Sequence, residues 1–156
     1  MTKAGYSATT EGAVAVAAAT AESVIGFTAP AQFGADLKKF RIGFDGVTAS
    51  AIPTLIELCY ATFATNAPGT ASTSVTVRQV YGRVITAGFT AAKNWTTEPT
   101  VLTAIDEWLL TPAGGLVIYD FPLGDTPDSD VSDGFVLRVT APAAVNLRAA
   151  LWFERA

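Results

Sequence analysis

Four carboxylates crowd one Pro- and Gly-punctuated stretch, Gly124-Asp125-Thr126-Pro127-Asp128-Ser129-Asp130-Val131-Ser132-Asp133-Gly134. Closely spaced hard oxygen donors are what a calcium ion takes, but the glycine and the distal glutamate of an EF-hand loop are out of place here. The stretch reads as a solvated loop between two strands, or as a contact loop in which Asp125, Asp128, Asp130 and Asp133 meet basic strands of a neighbouring copy. Arg41, Arg78, Arg83, Arg138 and Arg148 fall on predicted strands, where cations protect edges and could answer such a loop. Asp106 and Glu107 are adjacent, so in a strand or a helix their side chains diverge, and the facing carboxylate pair of a glycosidase is not indicated. Beside Trp108 they would suit at most a sugar-binding surface.

The remaining chemistry is sparse. The chain has no histidine, which removes Ser-His-Asp and Cys-His nucleophiles, a histidine base and His-ligated metal sites together. Its one cysteine, Cys59, lies in an apolar run and reads as a buried small hydrophobe, with no partner for an internal disulfide. No phosphate-cradling Gly loop, Cys-x-x-Cys pair or nucleophile elbow occurs. The expectation is a protein that is not an enzyme and needs no cofactor or metal.

The elements that position these residues must come from a chain of 156 residues, 50% hydrophobic and 15% charged, which suits one domain with a real core. A net charge of −4 argues against a surface built to neutralise phosphates, so nucleic acid is not an expected partner. Apolar runs break well before the ~18 residues of a membrane span, and Met1–Glu11 lacks the order of a signal peptide. Synthesis in a cytoplasm and no membrane contact are expected. Charge is uneven along the chain: residues 1–93 carry seven basic and five acidic groups, 94–137 eight acidic and none basic, 138–156 three basic and one acidic.

Twenty-eight alanines and twenty-one threonines shift the balance from surface helices towards strands. Residues 13–17 and 22–28 read as short strands. In 37–45, Phe40, Ile42 and Phe44 alternate with Lys39, Arg41 and Asp45, a half-buried strand ending at an Asp45-Gly46 turn. Residues 53–64 are apolar on both faces except Glu57. In 74–86 the apolar face switches from Val75 and Val77 to Val80 and Val84, which predicts a bulge or a change of partner. Val101, Leu102, Ile105, Trp108 and Leu109 have helical spacing after Thr97-Glu98-Pro99; a single helical turn and an irregular strand both fit. Strands follow at 116–121, around Phe135, Leu137 and Val139, and at 145–154.

Strands at this spacing between Gly, Pro and Asp turns predict an all-β fold: a two-sheet antiparallel β-sandwich of jelly-roll type. Residues 13–156 form that domain, and the polar, small residues 1–12 an extended N-terminal arm, ordered if a neighbouring chain or an internal strand holds it. Trp152 lies opposite Leu147, Leu151 and Phe153, so a core built from those three turns Trp152 outward as an interface anchor. Arg138, Arg148 and Tyr6 of the arm are the other interface candidates.

Glu107-Trp108, Gly114-Gly115-Leu116, Phe121-Pro122-Leu123-Gly124, Leu137-Arg138-Val139-Thr140-Ala141-Pro142 and the terminal strand 145–154 resemble small jelly-roll virion proteins of tailed bacteriophages infecting actinobacteria. The resemblance covers roughly the C-terminal third. It implies a capsid decoration (cement) protein that forms a homotrimer, binds the major capsid protein on the outer surface of the head and reaches neighbours with a terminal arm. It carries over no catalytic residue. A carbohydrate- or receptor-binding jelly-roll module of a phage tail or bacterial surface protein is the alternative, with Trp95 or Trp108 supplying an exposed aromatic platform.

Overall fold

Alternation of apolar and polar side chains commits each segment to one side of a sheet, and in this chain two such sheets close on each other. A computed structural model describes residues 3–45 and 52–156, so the Asp45-Gly46 turn lies outside the described residues. In chain order the strands are β1 (Gly5–Thr9), β2 (Val14–Val16), β3 (Ala21–Thr28), β4 (Ala35–Asp45), β5 (Thr54–Ala61), β6 (Thr73–Val75) and β7 (Arg78–Tyr81). They continue as β8 (Thr90–Lys93), β9 (Leu102–Leu110), β10 (Val117–Asp120), β11 (Asp128–Ser129), β12 (Gly134–Thr140) and β13 (Val145–Arg155). No helix among the described residues is long and apolar enough to cross a membrane.

The first sheet runs β10-β4-β13-β1-β7, with β11 on β4 and β2 on β13; the second runs β6-β8-β3-β12-β5-β9. Four antiparallel pairs, β1–β13, β3–β12, β4–β10 and β5–β9, nest one inside the next along the chain. That nesting is the jelly roll, the expected fold. Between β5 and β9 an insertion adds β6 and β8 to the second sheet and β7 to the first. The switch of apolar face between Val75 and Val80 is therefore a change of sheet.

The core lies between the sheets. Phe27 of the second sheet stacks on Phe153 of the first at 3.9 Å between ring centroids, with Phe89, Phe135 and Tyr6 around them. Phe40 and Ile42 are fully buried, as the alternation in β4 requires. A second cluster, Phe63, Ala92, Trp95 and Val136 among them, covers the outer face of the second sheet beneath the insertion. Trp95 closes it, its Nε1 donating to the Asn66 carbonyl at 2.8 Å.

Two expectations are corrected. The N-terminal segment is no extended arm: β1 pairs with β13 on one side and β7 on the other, in the interior of the first sheet. Small residues make this possible, because a Cβ on Gly5 would fall 2.1 Å from the Tyr81 ring that lies over it. Tyr6, expected at an interface, is 1% exposed and packs in the core. Of the two readings of residues 101–109, the irregular strand holds: β9 is an edge strand with a register shift that leaves Ile105 as the extra residue. The shift breaks strict alternation, which is why the spacing also fitted a helix.

Candidate assembly surfaces

Strand β13 turns its alternate residues to the outer face of the first sheet, and Trp152 is among them. It is partly exposed, with Lys39 Nζ 4.9 Å and the Arg41 guanidinium carbon 4.8 Å from its ring centroid. Pairing in the sheet dictates this clasp, since Trp152 sits opposite Lys39 with Arg41 next on the same face. Beside it a groove of about 590 Å³ runs between Thr10, Glu11, Arg41, Asp45, Leu116 and Arg148. Arg148 is held there by Asp45, Nε to Oδ2 at 2.7 Å.

Arg138 lies on the other sheet. It forms a bidentate bond to Glu57, Nε to Oε2 at 2.8 Å and Nη2 to Oε1 at 3.0 Å, so its charge is answered within the chain. Cys59 is buried beneath, and burial pushes its thiol up to about 11 against the smaller opposing pull of Arg138. Nearby, Glu98 accepts from the Ser23 amide at 2.8 Å and the Ser23 hydroxyl at 2.5 Å. A cleft of about 550 Å³ lies by Glu98, Glu22 and Trp95, yet Glu22 is also engaged, by the Ala17 amide at 3.1 Å.

The four loop carboxylates do not converge. Asp128 lies in β11 opposite Asp36. Asp133 accepts from the Tyr60 hydroxyl, and Asp130 caps the Val131 amide at 2.7 Å. Burial and then the bond to Asp133 raise the Tyr60 hydroxyl pKa. Among the described residues no three acidic, Cys or His side chains gather in metal-holding geometry.

Neither tryptophan proposed for a sugar platform faces out. Trp95 is 3% exposed, and Trp108 turns inward to stack on Phe40 at 5.0 Å. Large apolar side chains are exposed at both edges of the sandwich, and also at Leu123 and Val131 in the loops on either side of β11. One edge is β9 and β10, with Ile105, Leu109, Leu116 and Ile118; the other is β7 and the turn after it, with Val80, Tyr81 and Val84. Gln79 shapes that turn, donating to the carbonyls of Tyr81, Gly82 and Arg83 and accepting from the Ile85 amide. Sequence patterning left these edge positions unassigned; the signal was present in Val80 and Val84, apolar residues interleaved with Arg78 and Arg83.

No family model, curated protein or solved structure matches the chain.

Proposed function

We propose that the chain is a structural subunit, a jelly-roll module that joins copies of itself and decorates a bacteriophage head, bridging major capsid protein subunits on its outer surface. The observation that carries this reading is the exposure of large apolar side chains along two edges of the sandwich. Val84 is 92% exposed and Leu109 67%. Apolar residues concentrated on unpaired edges are a liability for a lone domain and an asset for one that packs against others. The jelly-roll order and the likeness of the C-terminal third to phage virion proteins support the same reading. A decoration subunit acts by burying surface between copies, and it assigns no catalytic role to any residue.

The test is mechanical. Heads carrying the protein should survive heating or osmotic shock that bursts heads lacking it. Equal survival with and without bound protein removes the stabilising role.

A further inference from the structure

We infer that the two open edges bind each other, the β7 edge of one copy docking on the β9–β10 edge of a second copy. The inference deepens the building-block reading and rests on it. Strands β7 and β10 end the first sheet on opposite sides, and β9, beside β10, ends the second. Among the described residues each has one strand partner, so each offers a row of backbone donors and acceptors to an incoming strand.

The side chains at the two edges are complementary in kind. Val80, Tyr81 and Val84 expose apolar surface along the first edge, and Ile105, Leu109 and Ile118 along the second. At the first edge the charge left unpaired is positive, since Glu154 there accepts from the Tyr81 hydroxyl and Glu11 pairs with Arg78. Arg83 is exposed and, among the described residues, has no carboxylate partner, while Arg78 reaches Glu11 only at 3.6 Å. At the second edge the charge left unpaired is negative, since Lys39 there reaches Asp120 and Arg41 lies against the Trp152 ring. Asp106 and Glu107 are exposed and have no cation partner among the described residues. Pairing like with like is penalised: β9 against β9 brings two Asp106-Glu107 pairs together, and β7 against β7 does the same with Arg78 and Arg83. The favoured contact is therefore head to tail, which builds a ring when the rotation between copies closes.

Charge reversal at exposed positions tests this on the full chain. Light scattering should give the native protein a mass above 16.2 kDa. Arg78→Glu with Arg83→Glu, or Asp106→Lys with Glu107→Lys, should each weaken association by about tenfold or more. The chain carrying all four reversals should regain it, with circular dichroism unchanged throughout. As a check that needs no variant, raising NaCl to about 1 M, where the Debye length is about 3 Å, should weaken native association. Association untouched by either double reversal, or not regained in the folded fourfold variant, overturns the edge pairing. If such chains still bind phage heads, the building-block reading stands and only this interface falls; if the native chain is monomeric and binds no heads, both fall.

Discussion

Arg138 grips Glu57 across neighbouring strands with both bonds of a guanidinium–carboxylate fork, at 2.8 and 3.0 Å. The two residues are direct partners in the β12–β5 register, so strand pairing itself presents one to the other. An arginine expected to reach another subunit is spent inside the chain. Arg138→Ala should lower stability by about 2 kcal/mol, because it removes two charge-assisted bonds and strands a mostly buried carboxylate. The double change Glu57→Leu with Arg138→Leu should cost less than the single one, since no unpaired charge remains. Urea unfolding of the three proteins checks the order.

Removing residues 1–12 should abolish the cooperative thermal transition, because the cut takes out an interior strand along with Tyr6, whose hydroxyl donates to the Ile85 carbonyl at 3.2 Å. Tyr6→Ala alone should cost about 3–5 kcal/mol, the range for a large buried aromatic. A truncated protein that melts like the intact one would return this segment to the status of an arm.

Cys59 should resist thiol reagents at pH 8 in the native protein and react once unfolded. Its thiol is fully buried and held up to about 11, so little thiolate is present and less is accessible. Stoichiometric labelling of the native chain within minutes contradicts the buried placement.

Stability should fall in alkali. Tyr60 and Tyr81 both have raised pKa values, each from burial first and then from a bond to a carboxylate, Asp133 and Glu154 respectively. A raised pKa in the folded state means the folded chain holds the proton more tightly. The resulting stabilisation is complete below the unfolded value of about 10 and is lost as pH rises beyond it. Tyr81→Phe should therefore flatten the loss of melting temperature above about pH 10. An unchanged alkaline slope in both Tyr60→Phe and Tyr81→Phe removes these hydroxyls as its source.

The jelly roll was legible because β4, β12 and β13 each set a clean apolar face against charged residues: Phe40 and Ile42 against Arg41, Leu137 against Arg138, Leu151 against Arg148. Outward placement of Trp152 followed from the same alternation. Strand β1 was not legible, because Gly5, Ser7 and Ala8 are small for reasons that lie elsewhere in the chain. The Tyr81 ring covers Gly5, and Ser7 sits beside Trp152 in the pairing register. The apolar edges escaped notice because hydropathy marks Ile105 and Leu109 as core; only sheet order reveals that β9 is the end strand among the described residues.

The most direct measurement is a titration of the purified full chain onto phage heads that lack it, followed by pelleting. Saturable binding of the native chain, at a fixed number of copies per major capsid subunit, is the predicted result. A chain that stays in the supernatant at every concentration, while running as a single 16.2 kDa species, contradicts the account.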